Sequence, residues 1–442
     1  MKIPSIFPFP PSSHTSGAPD RDRGPQVRLF AISLVLAAAS AVLGACARMV
    51  PGFAHTYSIT VYPVLVNTIG RFSSIFPFSL SEAGLYLAAV FCILNLLFLI
   101  KKPLAALSRL FFLACLLLFL YTAGCGINYY RTPFSYEAGM VMEQSSAGEL
   151  YSLCLFLTEQ INSTLTETDH SGDALKGLYP GQTEDTPLPS AAMLRELGME
   201  GVKSMKGLGT AYPQLSGYYP YPKPLMNPRL LSIQQLCGIY SPFTIEANYN
   251  REMPYYNIPH TICHELSHLK GFMREDEANF IGYLACIGSD SPDFRYSGYL
   301  TGWVYAGNAL AKADLEAYYG LYGRLAPEAA RDLAWNNQFW DRFDGKVYHG
   351  INIPVKFDGG IIIGNDFLTR YYIHMGFQRV YAYKTVYELI FKEGLITKKT
   401  DLSKEAALIR TEIDEKGIDR ANISKFVQES FSLDYEDKWT VY

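Results

Sequence analysis

Residues His260–Cys286 read HTICHELSHLKGFMREDEANFIGYLAC, with His264 and His268 four apart and Glu265 directly after the first. On a helix, residues four apart share a face, one turn up the axis. Two imidazoles so placed reach a single zinc ion at about 2.0–2.1 Å. The glutamate then lies beside the ion's open position. There it can take a proton from a zinc-bound water, whose pKa the metal lowers toward about 7. The spacing predicts a zinc site with His264 and His268 as ligands and Glu265 as general base. The plain alternative is a buried helix with two hydrogen-bonded histidines.

A catalytic zinc takes three protein ligands and a water. Arg274 stands where a histidine follows in HExxHxxGxxH, which leaves Glu275, Asp276 and Glu277. On a continuous helix Glu275 would lie about 10 Å along the axis from His268, too far to share the ion. The chain must therefore turn, and Gly271 can adopt the left-handed conformation that ends a helix. A second helix from about Glu275 then places Glu275, Ala278, Asn279 and Gly282 on one face. Glu275 is the expected third ligand, with Asn279 one turn on to hydrogen-bond a ligand histidine. Glu277, about 200° around the helix from Glu275, is the other candidate. The glutamate that is not a ligand reads as a solvated helix start, favoured by the helix dipole.

Further elements must position this pair of helices. Asn257 and Pro259 mark the start of the first. Ser241–Asn250 has strand character, and in zinc peptidases an edge strand in that position pairs with the substrate backbone by strand addition. Glu246 and Asn248 are then candidate substrate-facing residues; a structural strand with polar ends is the alternative. An oxyanion donor would be a Tyr or His, with Tyr383 and His374 the leading candidates beside Tyr381 and His349, none at a diagnostic spacing. His260 shares the histidine face but is too far back to ligate. Helical spacing runs over Glu149–Leu165, Gly302–Leu325 and Pro327–Phe343, with a last helix from about Tyr383. Thr166–Ser190 reads as a loop. Four tyrosines and five prolines between Tyr212 and Pro228 exclude a regular helix there.

The remaining signal is apolar. The chain has 442 residues, 49% hydrophobic and only 18% charged, against about 25% charged in soluble chains. Leu29–Ala47, Ala83–Ile100 and Leu110–Ile127 carry no charge, and each approaches the roughly 20 residues needed to cross a bilayer. They predict three transmembrane helices. Lys2, Arg21, Arg23 and Arg28 precede the first, and Lys101, Lys102 and Arg109 lie between the second and third. The positive-inside rule puts both regions in the cytoplasm. The expected organisation is a disordered cytoplasmic N-terminus (1–28), a membrane region (29–127) and an extracytoplasmic domain (128–442). Residues 51–82 read as an external loop. LGAC ending at Cys46 suggests a lipoprotein cleavage site as an alternative to a small-residue helix end. The net charge of −4 gives no footprint for nucleic acid. Eight cysteines include no CxxC pair, and a disulfide among Cys154, Cys237, Cys263 and Cys286 stays open.

HELSH followed by EDEAN resembles the gluzincin metallopeptidases, especially membrane-embedded ones with a Glu-x-x-Ala-Asp helix. The resemblance places the zinc ligands on His264, His268 and Glu275 and the general base on Glu265. Asn279 stands where that helix has aspartate, and the gap between the two motifs is short. FPFSLSEAG (76–84), GINYYRTPFS (126–135), GIYSPFTIEANYN (238–250) and HELSH…EANFIGYLAC look like the uncharacterised family called domain of unknown function 3810. That likeness implies a mainly α chain: three N-terminal transmembrane helices, then a zincin-like (gluzincin) α+β domain carrying the HExxH helix. The expected function is a zinc metalloendopeptidase of the cytoplasmic membrane, acting on a membrane or envelope peptide or protein. A non-catalytic zinc-binding membrane module and a metal-free membrane scaffold are the alternatives.

Overall fold

The computed structural model describes residues 24–140, 146–168, 188–343, 355–357 and 360–362. The chain is mainly helical. Three N-terminal helices, α1 (Gly24–Met49), α2 (Leu80–Phe98) and α3 (Pro103–Tyr121), are long and apolar enough to cross a membrane. Within their apolar stretches, Ser33 and Ser40 donate to the carbonyls of Leu29 and Leu36, and Asn95 to that of Phe91, each at 2.8 Å. In an apolar solvent a polar group has to be satisfied within its own segment. Pro103, which has no N–H to lose, opens α3.

By its packing the chain divides into two compact units. One comprises residues up to Val42 with Leu87–Phe119, and the other Leu43–Tyr86 with residues from Leu120 onward. Residues 51–82 differ from the loop expected of them. Phe53–Thr60, Tyr62–Leu65, Val66–Gly70 and Arg71–Ser73 are successive helical turns. Their apolar side belongs to the core of the second unit, where Tyr62 is 1% exposed.

The second unit continues with α4 (Ala147–Thr168), α5 (Ala191–Ala211), β1 (Lys223–Pro224), β2 (Gly238–Ser241), β3 (Glu246–Tyr249), α6 (Asn257–His268), α7 (Glu275–Ile287), α8 (Pro292–Ala313), α9 (Leu315–Tyr322) and α10 (Pro327–Asp341). α6 is at its centre, with Ile258, Ile262 and Leu266 fully buried. α4 lies against α8, tied by the Trp303 indole N–H donating to Thr158 at 2.9 Å. The helix expected over Gly302–Leu325 is broken at Asp314, whose backbone is extended and whose side chain caps α9 by accepting from the Ala317 amide at 2.9 Å.

The strand expected over Ser241–Asn250 begins only at Glu246, as the second arm of a hairpin whose first arm ends at Ser241. β2 and β3 pair antiparallel, Gly238 opposite Tyr249 and Ser241 opposite Glu246, and the connection between them places Ile245 at φ 52°. β1 pairs parallel with the far side of β3. Among the described strands the order β1-β3-β2 therefore corrects the edge-strand expectation: β3 is central and β2 is the edge. Asn250 donates to the Cys237 carbonyl at 2.7 Å. The alternation of an antiparallel ladder then turns the backbone groups of Gly238 and Tyr240 toward the open edge.

Candidate metal centre

α6 and α7 meet through the turn Leu269–Arg274. Gly271 has φ 84°, and its amide bonds back to the His268 carbonyl at 2.8 Å, so the helix ends where a left-handed residue was expected. Arg131 braces the turn. It donates to the Lys270 carbonyl at 2.8 Å, pairs with Glu137 at 2.9 Å and lies over the Phe272 ring. Gly282 lets the helices close up, since a Cβ there would stand 3.1 Å from the His264 amide nitrogen.

The turn brings three donor groups together. The Nε2 atoms of His264 and His268 are 3.1 Å apart. Glu275 places one carboxylate oxygen 3.1 Å from His264 Nε2 and the other 3.7 Å from His268 Nε2. One ligand atom from each residue falls within 4.8 Å of the other two. A tetrahedral ion about 2.0–2.1 Å from each ligand nitrogen separates those nitrogens by ~3.3 Å, close to the spacing observed.

The protonation of the rings follows from their far sides. His268 Nδ1 lies 2.7 Å from the Phe272 carbonyl, which can only accept, so Nδ1 carries the hydrogen. His264 Nδ1 lies 2.8 Å from Asn279 Oδ1 and is fixed in the same sense. Each neutral ring then aims its Nε2 lone pair at the other and at a carboxylate. Three acceptors converge with no donor among them, an arrangement that needs a cation or a trapped proton. The charge balance without an ion reflects this. Burial acts to lower the His264 pKa, but the hydrogen bond and charge of Glu275 carry it up to about 9. Burial dominates at His268 and takes it down to about 4. At Glu275 burial opposes ionisation, yet the two histidines hold the carboxyl below its ordinary range. The donor set fits zinc.

Glu265 is 4% exposed, and its Oε2 has no hydrogen-bond partner among the described residues. Burial pushes its carboxyl up to about 8. Its other oxygen reaches the edge strand, where a Cβ at Gly238 would overlap Oε1. Glu277 points elsewhere: it is 1% exposed and accepts from the Phe134 amide at 3.0 Å. His260 turns its Nε2 to the Asn279 carbonyl at 3.1 Å and forms part of the wall.

Glu246 and Asn248 are fully buried on β3. The Glu246 carboxylate accepts from Lys223 and from the Leu80 and Ser81 amides at 3.1 and 2.8 Å. Asn248 donates to Ser81 Oγ at 3.1 Å. These contacts make the pair part of the frame rather than a surface open to a peptide. Tyr383 and His374, with Tyr381 and His349, lie outside the described residues. One residue at the site was not legible as such: Gly238 is one glycine among 35, and its role depends on which strand is the edge.

A family model described as a protein of unknown function (DUF3810) matches residues 57–353. No curated protein and no solved structure matches the chain.

Proposed function

The chain belongs to the DUF3810 family, for which no activity is described, and from that premise we propose that it is a membrane-anchored zinc metallopeptidase with a gluzincin-like site. Its substrate is a peptide or protein of the membrane or envelope, cut on the outer side of the cytoplasmic membrane. The observation that carries the reading is the convergence of His264 Nε2, His268 Nε2 and the Glu275 carboxylate beside a buried glutamate with a free oxygen. When bound, zinc supplies a Lewis acid that polarises the scissile carbonyl and acidifies a water.

His264, His268 and Glu275 would hold the ion. Asn279 and the Phe272 carbonyl fix the imidazole tautomers that leave both Nε2 lone pairs available. Asn279 does this without the charge an aspartate would bring. Glu265 takes the proton from the attacking water and passes it to the leaving amine. The open edge of β2 at Gly238 runs next to Glu265, so a substrate strand added there lies alongside the base.

Metal analysis of the purified full chain tests the site. One zinc per chain is expected in the parent and none in His264→Ala. A parent without zinc leaves the metal-free scaffold. A parent that holds zinc but cleaves no peptide, with or without Glu265, is the non-catalytic zinc module. Topology is tested separately: protease added to intact spheroplasts should digest the region after α3. Protection until the membrane is permeabilised would reverse the orientation.

A further inference from the structure

The helical turns between α1 and α2 have two apolar sides, and only one of them belongs to the core. Ala54, Tyr57, Tyr62 and Val66 face inward. The Tyr62 hydroxyl bonds Tyr240 on β2 at 2.8 Å and the His268 carbonyl at 3.3 Å, and Lys223 holds the Ser73 carbonyl at 2.6 Å. The opposite side carries Ile59, Val61, Val64, Phe72, Ile75 and Phe78, all exposed, with Phe72 at 59% and Ile75 at 73%. A helical surface facing water places charged and polar groups there. Between Val50 and Ser81 the one residue of fixed charge is Arg71, where a soluble stretch of that length carries about eight. Arg71 donates to Asn67 Oδ1 at 3.2 Å, and its guanidinium lies 4.0 Å from the Tyr218 ring centre.

Polar side chains on the outer face turn back on their own helix. Thr60, Asn67 and Thr68 are exposed, yet they donate to the carbonyls of Thr56, Pro63 and Val64 at 2.6, 2.8 and 2.7 Å. Ser33, Ser40 and Asn95 are satisfied in the same way inside α1 and α2. An exposed apolar patch marks an interaction surface, and the path of the chain names its partner. Phe53 comes four residues after Met49, where α1 ends, and Phe78 two residues before Leu80, where α2 begins. Even fully extended, four residues reach only about 14 Å. Both ends of the segment are therefore tethered at one surface of the bilayer that α1 and α2 are long enough to cross.

We propose that this outer face is an interfacial lipid-binding surface, whose side chains enter the leaflet at which α1 ends and α2 begins and touch phospholipid acyl chains. The inference rests on α1 and α2 crossing the membrane, not on the peptidase reading. A surface of this kind sinks its apolar groups about 5–10 Å into the boundary between headgroups and chains. On the inner side, Tyr62 ties the same turns to β2 and α6. The second unit thus rests on lipid, and the cluster of His264, His268 and Glu275 keeps a fixed height above it. Under the peptidase reading the substrate is then a chain held at the membrane surface.

The test places the photoreactive residue benzoylphenylalanine at Phe72, at Ile75 and, as an exposed control on α9, at Tyr319. The full chain is reconstituted in vesicles of phosphatidylethanolamine and phosphatidylglycerol and irradiated, and the adducts are mapped by mass spectrometry. Adducts on acyl carbons are expected at Phe72 and Ile75, with a yield severalfold above that at Tyr319. Crosslinks from both positions to a second copy of the chain, or to its residues 344–442, would overturn the proposal by identifying a protein cover. A lipid yield no higher than at Tyr319 would overturn it too, since the face then meets water. Phe72→Trp gives an independent reading in vesicles whose acyl chains are brominated near the carbonyl. The fluorescence added by the new indole should be quenched relative to unbrominated vesicles, and equal intensity in the two would count against lipid contact. If alkaline carbonate strips the parent chain from the vesicles, α1 and α2 do not span and the proposal falls with them. Neither measurement involves zinc or peptide cleavage, so failure of the peptidase reading leaves the outcome decisive.

Discussion

Glu265→Gln is expected to keep one zinc per chain and the parent melting temperature while slowing peptide hydrolysis by about 10²–10⁴-fold. Glutamine has nearly the same volume, so the tight fit against Gly238 is retained. The carboxylate oxygen without a partner becomes part of an amide that cannot accept a proton. Neither candidate ligand histidine depends on Glu265: His264 is fixed by Asn279 and His268 by the Phe272 carbonyl. Loss of turnover with retention of metal therefore separates a base from a ligand. If Glu265→Gln cleaves peptides as fast as the parent, general-base catalysis by this residue is wrong. If it loses zinc, the site is arranged differently from the one described.

Lys223→Met is expected to destabilise the second unit by about 3–5 kcal/mol, the usual cost of removing one partner from a buried ion pair. Lys223 and Glu246 are each 1% exposed at the side chain, and Lys223 also donates to the Ser73 carbonyl at 2.6 Å. Without the ammonium, Glu246 keeps only the Leu80 and Ser81 amides. Those are the first two amides of α2, where a carboxylate satisfies donors that have no partner inside the helix. In a unit of this size the loss amounts to a melting temperature roughly 10 °C lower, read in detergent by near-UV circular dichroism. The double variant Lys223→Met/Glu246→Gln should recover part of it, because it removes the uncompensated charge as well. A single variant that melts with the parent would mean the pair adds nothing to the fold.

The sequence was informative where chemistry or solvent imposes a local rule. The three apolar helices follow from the absence of a polar stripe. The turn at Gly271 and the helix starting at Glu275 follow from the reach of a carboxylate to a shared ion. Elements set by distant packing were harder to read. α5 was not anticipated, because its four glycines, Gly198, Gly201, Gly207 and Gly209, argue against a helix. Two of them are there for contact: a Cβ at Gly201 would strike Ile262 of α6, and one at Gly198 would strike Tyr221. Ser241–Asn250 has the composition of one strand, but a turn through Pro242 and the left-handed Ile245 makes it the second arm of a hairpin that starts at Gly238. That difference moves the open edge from Glu246 to Gly238. Glu246 and Asn248 looked available for substrate because polar residues on a strand usually face outward. Here the start of α2 covers them, a contact between positions more than 160 apart.

The second unit is built from two separate stretches of chain, and this fixes an order of manufacture. The hydroxyl of Tyr62 donates to the carbonyl of His268, 206 positions later. At about 5–20 residues per second, Tyr62 leaves the ribosome roughly 10–40 s before its partner. In that interval the ribosome makes α2 and α3, and the apolar turns that carry Tyr62 and Val66 have no core to enter. Whatever shields them must act while the rest of the unit is still being made. The surroundings of the HELSH helix can close only once both stretches have left the ribosome, so the completed centre waits for α6.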